Sequence, residues 1–335
     1  MRRLGAKALS SAASALGATL LVTLFLNLVP GDPVEILLGE QAQQVDRDEM
    51  RRAMWLDRSV PEQAWLFLSN LSRGDLRTSL PPFQDRVMPR IWRAAPRTGL
   101  LAGLAMLLAA LFSLPLGIIA ALRAGKPVDR IAMGLSVLGI SLPSFLVGHL
   151  LILAFGIRLG WLPISGDDQR LSVLLPALTL ALGLSALLSR VTRVSMLEVL
   201  REDYVVAARA RGLPPRSIVL RHALRNALLP IMTVAGLQLG AVLTGAIVVE
   251  KVFAWPGLGT LLLNGIERRD YNTVRACVLV FTLTYLAVNL LTDLAYALAD
   301  PRARRGGAGP MAGASEPDLE GLGPVSGLAG EVPLR

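Results

Sequence analysis

Residues 98–122 read TGLLAGLAMLLAALFSLPLGIIAAL, an apolar run without a charged side chain. An α-helix rises about 1.5 Å per residue, so a run of this length matches a bilayer core about 30 Å thick. Within lipid the backbone finds no water to satisfy its N–H and C=O groups, and such a run must therefore be helical. The stretch predicts a membrane-spanning α-helix, and its continuity excludes a strand of a transmembrane barrel.

Five further runs share this length and this aliphatic character. They occupy residues 9–29, 131–157, 171–189, 227–249 and 276–298. Over the whole chain 53% of the residues are hydrophobic, only 5% are aromatic, and the mean hydropathy is +0.53. This composition exceeds what a soluble domain needs and suits helix packing in lipid. The sequence predicts an all-α, polytopic membrane helical bundle with six transmembrane helices.

Basic residues concentrate in alternate connections between these runs. Residues 2–7 carry three cations and no acid, and the segments 123–130 and 190–225 are also rich in arginine. Because such loops stay in the cytoplasm, we expect both termini to be cytoplasmic and residues 31–96 to lie outside. The basic residues of these cytoplasmic loops then account for the net charge of +9. We therefore expect the lipid bilayer as a partner and no nucleic acid.

The chain lacks the sequence motifs of common hydrolytic and metal centres. No Gly-x-x-x-x-Gly-Lys-Ser/Thr phosphate loop, His-Glu-x-x-His pair or Gly-x-Ser-x-Gly turn occurs. One cysteine, Cys277, and two histidines, His149 and His222, cannot build a cluster of metal ligands. We therefore expect no enzymatic activity, cofactor or metal. His149 is expected to be a polar contact between helices, and for Asp293 a proton-relay role and a hydrogen bond within the bundle are both open.

The basic segment 198–226 carries too many charges to span a membrane, yet it shows helical periodicity. Leu200, Tyr204 and Ala208 fall on one helical face at a spacing of four residues. Gly212 ends this helix at a position that favours a left-handed residue, and two prolines then turn the chain. The pattern predicts a compact knob that docks on another protein. A basic loop lying on anionic lipid is the alternative.

Several motifs along the chain resemble those of ABC importer permeases of the dipeptide/oligopeptide/nickel family. The basic segment reads DYVVAARARGL at 203–213 and RHALRNALLP at 221–230. The others are PGDP at 30–33, GDLRTSL at 74–80, SLPSF at 141–145, VFAWPGLG at 252–259, RDY at 269–271 and DPR at 300–302. They occur in order over about residues 1–302, and the long loop after the first run resembles the B-type subunit of such importers.

The resemblance implies an ABC importer type-1 permease fold with a cytoplasmic coupling helix, in a bacterial inner membrane. It also implies a heterodimer with a second homologous permease subunit, two ABC ATPase subunits that hydrolyse ATP, and an extracytoplasmic solute-binding protein. The chain would form half of a translocation path for peptides. The implied ATPase-coupling residues are Tyr204, Ala207, Ala208, Arg209, Gly212, Leu213, Arg221 and Asn226. The implied residues of an extracytoplasmic loop are Trp255, Pro256, Gly257 and Gly259.

We expect the chain to divide into three segments. Residues 1–93 comprise the first transmembrane helix and an extracytoplasmic loop region, and residues 94–300 form the permease domain. Residues 301–335 are rich in Gly, Ala, Pro and Glu, and a segment of this composition predicts a disordered cytoplasmic tail. Val206 departs from the general permease signature, which has a glutamate in that register.

An ion-coupled secondary transporter or channel is the alternative function. It would need intramembrane charges or repeated half-structures, and the six runs offer few such charges. Within the ABC interpretation the substrate stays open among dipeptides, longer peptides, nickel complexes and glutathione, because a separate binding protein largely determines specificity.

Overall fold

The structure, a computed structural model, describes residues 2–30, 33–39, 43–79, 85–169 and 171–299. Within these ranges the chain is helical, apart from connecting turns and an isolated antiparallel bridge between Arg77 and Arg86. The helices are α1 (Arg2–Leu28), α2 (Pro33–Leu38), α3 (Gln44–Ala53), α4 (Val60–Ser72), α5 (Val87–Leu122), α6 (Pro127–Ser141), α7 (Ser144–Leu151), α8 (Leu174–Val199), α9 (Asp203–Ala210), α10 (Pro215–Ser217), α11 (Leu224–Val252), α12 (Leu258–Glu267) and α13 (Tyr271–Ala299). The all-α prediction is confirmed.

Long apolar helices account for the runs seen in the sequence. Four of the described helices are individually long and apolar enough to cross a membrane: α5, α8, the continuous helix Pro215–Val252 and the Tyr271–Thr292 part of α13. The bent pair α6 and α7 adds a fifth if it counts as one span. The described part of α1 adds the shorter apolar helix Ala13–Leu28. These elements are consistent with a bundle of six membrane helices.

The run at 131–157, predicted as one membrane span, is broken into two helices. Its two halves, α6 and the stretch Ser144–Arg158, meet at an angle of 105°. Pro143 is the physical reason, because its ring disfavours a helical conformation in the preceding residue. Leu142 is accordingly extended, with φ −82° and ψ 126°. Beyond α7 the helix continues with π-helical geometry over Ile152–Arg158.

The centre of the bundle is formed by α5, α8 and α11, and α5 and α8 share the most extensive contact. Small residues make this contact close. Ala105 and Ala109 of α5 are fully buried, and a methyl group on Gly117 would lie only 2.5 Å from Cβ of Thr192 on α8. Membrane helices gain packing energy from such close approach, since lipid provides no hydrophobic drive between them.

Polar contacts attach α6 to α8. Arg193 of α8 binds both carboxylate oxygens of Asp129, which is buried at the start of α6, and its Nη2–Oδ2 distance is 2.7 Å. The backbone N–H of Gly125 donates to the same carboxylate at 2.8 Å. Further along, the hydroxyls of Ser136 and Ser189 lie 2.8 Å apart. Buried polar groups of this kind select one register between neighbouring helices.

Two short helices, α3 and α4, lie in the segment between α2 and α5. At the start of α4 the carboxylate of Glu62 accepts the backbone N–H of Ser59 at 3.0 Å and so caps the helix. Pro61 lies in the first turn. Phe67 of α4 is fully buried in a cluster that includes the first turns of α5. The segment before α5 is therefore packed onto the bundle through its own apolar cluster.

His149 does not join two helices as expected, because its Nδ1 lies 2.7 Å from the carbonyl oxygen of Phe145, one turn earlier in the same helix. The predicted tail at 301–335 and the side chain of Asp293 lie outside the described residues.

Candidate coupling surface and outer loop

The segment predicted to couple to an ATPase contains α9, an eight-residue helix between α8 and the helix Pro215–Val252. Its end is set by Gly212, which has a φ of +75°. The N–H of Leu213 donates to the carbonyl of Ala208 at 3.3 Å, and the N–H of Gly212 donates to that of Arg209 at 2.9 Å. This pair of bonds is the Schellman ending of a helix, which requires a left-handed residue at the glycine position. The predicted role of Gly212 in ending the helix is confirmed.

One face of α9 is packed against the chain itself. Val205 and Ala208 are buried together with Ile218, and Val199 and Leu200 cover them. We expected Ala208 to lie on the face that meets the ATPase, and this expectation is wrong. The side chain is only 2% exposed because it faces the π-helical segment that follows the turn. Its small size permits close packing within the loop.

The opposite face of α9 is exposed and partly apolar. Val206, Ala207, Ala210 and Leu213 are all exposed: Val206 and Ala210 lie one turn apart on α9, and Leu213 follows the left-handed turn at Gly212, beyond the end of the helix. Val206, 52% exposed, stands at the position where the general permease signature has a glutamate. A solvent-exposed apolar stripe on a short helix is typical of a docking surface. It is this stripe, and not Ala208, that can touch another protein.

Two predicted coupling residues that lie far apart in sequence contact one another. The side-chain amide of Asn226, at the start of α11, donates to the hydroxyl of Tyr204 on α9 at 2.6 Å. Both side chains are exposed. Arg209 and Arg221 are also exposed and bind no carboxylate among the described residues. The hydrogen bond fastens α9 to the membrane helix that follows it.

The four predicted residues of the outer loop surround a carboxylate that the sequence analysis did not single out. Glu250, at the end of α11, is fully buried. Thr98 of α5 donates its hydroxyl to Glu250 Oε1 at 2.6 Å, and the N–H of Thr260 donates to Oε2 at 3.0 Å. Thr98 in turn accepts the N–H of Leu258 at 2.8 Å. These bonds tie the loop after α11 to the first part of α5.

The two glycines of this loop lie so close to the same carboxylate that a side chain at either position would overlap it. A Cβ on Gly257 would overlap the Glu250 carboxyl group, and one on Gly259 would lie 2.9 Å from Glu250 Oε2 and 2.5 Å from the Cα of Ile247. Trp255 is buried, and its indole N–H donates to the carbonyl of Arg97 at 3.2 Å. Pro256, half-buried, completes the turn into α12. The VFAWPGLG motif is therefore a packed intramolecular turn around Glu250.

A second buried carboxylate joins two motifs that are distant in sequence. Asp270, 2% exposed, accepts the hydroxyl of Thr78 at 2.6 Å and the N–H of Ser79 at 2.8 Å. It also accepts the hydroxyl of Thr273 in the first turn of α13. The RDY motif thus holds the GDLRTSL motif onto the start of α13. Sequence reasoning noted both motifs but had no signal that they meet.

A buried arginine completes the polar contacts at this end of the bundle. Arg275 of α13 is fully buried and donates from Nη2 to Gln63 Oε1 of α4 at 2.7 Å. Gln63 also accepts the side-chain amide of Asn27, at the end of α1, at 3.2 Å. The Nε of Arg275 has no hydrogen-bond partner among the described residues. The sequence signal that could have found these residues is a charge next to an apolar run. Glu250 directly follows the run 227–249, and Arg275 directly precedes the run 276–298.

Comparison with known proteins agrees with this architecture. Residues 113–305 match the family described as "Binding-protein-dependent transport system inner membrane component". The chain is 44% identical over 292 residues to the "Glutathione transport system permease protein GsiC" of Pectobacterium atrosepticum, covering 85% of this chain and 92% of the relative. It is 41% identical over 293 residues to the protein of the same description from Escherichia coli strain K12, covering 85% of this chain and 93% of the relative.

Solved structures show the same fold at low sequence identity. A chain of the inward-facing MetNI methionine ABC transporter superposes with a TM-score of 0.57 at 16% identity, covering 65% of this chain and 99% of that one. A second crystal form of that transporter gives a TM-score of 0.54.

The helical bundle and the relatives together define an integral membrane component of a binding-protein-dependent transport system. The chain belongs to the ABC importer permeases of the dipeptide/oligopeptide/nickel family, and it is a multi-pass protein of the inner membrane. The family prediction made from the sequence motifs is confirmed.

Proposed function

We propose that this permease subunit forms half of the translocation path of an importer for glutathione or a related short peptide. The observation that carries the proposal is the 41–44% identity to glutathione permeases over nearly their whole length. The other half of the path is a second, homologous permease subunit. ATP is hydrolysed by two separate ABC ATPase subunits, and an extracytoplasmic binding protein delivers the solute.

The orientation of the bundle follows from its basic loops. With both termini in the cytoplasm, α9 and the connection between α5 and α6 face the cytoplasm, whereas α3, α4 and α12 face the outside. The buried contacts of Glu250 and Asp270 then lie at the outer end. They hold the outer loop rigid where the binding protein docks.

Coupling to the ATPase runs through α9. Its exposed stripe of Val206, Ala210 and Leu213 enters a cleft of the ATPase, and its buried face transmits the movement to the chain behind it. The Tyr204–Asn226 hydrogen bond links α9 directly to α11, which lies in the centre of the bundle. A shift of the ATPase cleft is thereby passed to a helix of the translocation path.

Substrate identity is tested by uptake in proteoliposomes that contain both permeases, the ATPase subunits and the cognate binding protein. We expect ATP-dependent accumulation of labelled glutathione, with competition by unlabelled glutathione and weaker competition by unrelated dipeptides. Transport of dipeptides or of a nickel complex without transport of glutathione would overturn the substrate assignment and leave the importer assignment intact.

A further inference from the structure

The cytoplasmic knob formed by residues 203–226 carries an uncompensated positive charge. Residues 204–226 include five arginines and neither aspartate nor glutamate. The five are all exposed, and within the described part of the chain none of them lies within ion-pair distance of a carboxylate: Arg209, Arg211, Arg216, Arg221 and Arg225. The acids of this loop, Glu202 and Asp203, lie at the opposite end of α9.

Three of these arginines adjoin the apolar stripe of α9. Arg209 is in the last turn of the helix, between Val206 and Leu213 in sequence, and Arg211 follows it directly. Arg216 lies just beyond the Gly212 turn, in α10. The side chain of Arg211 turns back onto α9, where its Nε donates to the carbonyl of Ala207 at 3.4 Å. Exposed guanidinium groups with no carboxylate within ion-pair distance in the described part of the chain therefore lie in and just beyond the last turn of α9, next to the apolar stripe.

We infer that the ATPase cleft receiving α9 has an apolar floor for Val206, Ala210 and Leu213 and carboxylates along the rim that faces Arg209, Arg211 and Arg216. This inference rests on the proposed coupling role of α9. Complementary charge at the rim of an interface sets its register and accelerates association, and it makes binding salt-dependent. Guanidinium groups suit this role because they pair with carboxylates in a two-pronged geometry. The acidic end of α9 would clash with the same rim, so the helix enters in one direction only.

Charge reversal at the three arginines tests the acidic rim. The triple variant Arg209→Glu, Arg211→Glu, Arg216→Glu is assembled with its partner permease in nanodiscs and titrated with the ATPase. We expect about tenfold weaker association at low salt, since an exposed ion pair contributes modestly and three act together. We also expect a flatter dependence of affinity on salt than in the unchanged protein. Arg123→Glu, an exposed arginine at the end of α5, is the matched control and should bind normally.

Two further arms separate the possible outcomes. The titration is repeated in discs of phosphatidylcholine alone and in discs with added phosphatidylglycerol. A defect confined to the anionic discs would assign the arginines to lipid headgroups and overturn the acidic rim. Val206→Asp tests the coupling surface itself. If Val206→Asp releases the ATPase while the triple variant binds with an unchanged salt slope, the coupling surface stands and the acidic rim is wrong. If Val206→Asp binds normally, the proposed coupling role is wrong.

Discussion

The side-chain amide of Asn226 lies 2.6 Å from the hydroxyl of Tyr204 and donates a hydrogen bond to it. This bond joins the short helix α9 to the first turn of α11, across the turn at Gly212 and the π-helical segment Ile218–Ala223. The small apolar cluster around Val205 and Ala208 also packs α9 against the rest of the chain. The pair is therefore positioned to keep α9 and α11 moving together.

Removing either partner of this bond should reduce coupled transport. We expect Tyr204→Phe and Asn226→Ala each to lower transport per ATP hydrolysed, because a net contribution of about 1 kcal/mol is lost from the attachment of α9. The double variant should be no worse than the single ones, since both remove the same interaction. Uptake and ATP hydrolysis measured together in proteoliposomes provide the check. Additive losses would show that the two residues act separately.

The left-handed turn at Gly212 should resist substitution for a backbone reason alone. No atom lies within 4 Å of a Cβ built at this glycine, so Gly212→Ala adds strain of about 1 kcal/mol without a clash. We expect faster hydrogen exchange of the amides at 208–213 and reduced uptake. Gly99→Ala is the control, because that glycine lies within α5 and its Cβ also meets no neighbour. Equal exchange in both variants would argue against the strain.

Substitutions of Ala208 and of Val206 should impair the permease in different ways. Ala208→Asp places a charge among Val205, Ile218 and Leu200, where an unpaired charge costs several kcal/mol, so α9 should lose exchange protection in the permease alone. Val206→Asp is exposed and should leave that protection unchanged while it weakens ATPase binding. Hydrogen exchange without the ATPase distinguishes the two. Normal protection of α9 in Ala208→Asp would contradict the observed packing.

The Glu250 contact should depend on the hydroxyl of Thr98. Thr98→Val leaves both the carboxylate of Glu250 and the N–H of Leu258 without this partner, at about 1–3 kcal/mol for each buried group. We expect a lower thermal unfolding temperature and a looser outer loop. Thr98→Ser keeps the hydroxyl and should stay close to the unchanged protein. If Thr98→Val unfolds at the same temperature as the unchanged protein, the hydrogen bonds of Thr98 do not contribute to stability.

The topology can be read from single cysteines. Asp48 and Arg216 are both exposed, whereas the native Cys277 is buried, so Asp48→Cys and Arg216→Cys in a Cys277→Ser background report only the introduced thiols. An impermeant maleimide added to intact cells with a permeable outer membrane should label position 48 and spare position 216. Labelling of position 216 from outside would invert the proposed orientation.

Much of the fold and part of the site could be predicted from local patterns. The left-handed Gly212, the helix before it and the two short outer helices all follow from residues close in sequence. The third run was predicted as a single membrane span. Its length was correct, but the 105° bend depends on how α6 and α7 pack once Pro143 interrupts the helix. The division into segments at residues 93 and 300 stays a prediction.

By itself the sequence determined the helical class, the membrane location and the family, because long apolar runs and contiguous motifs are local properties that need no knowledge of contacts. Only the tertiary structure decided that Thr98 holds Glu250, that Thr78 holds Asp270 and that Gln63 meets Arg275. It also decided that Ala208 faces inward while Val206 faces out. Buried polar partners separated by 152 to 212 residues leave no trace in local periodicity. A buried polar group needs a hydrogen-bond partner, and the packing of the helices determines which partner it reaches.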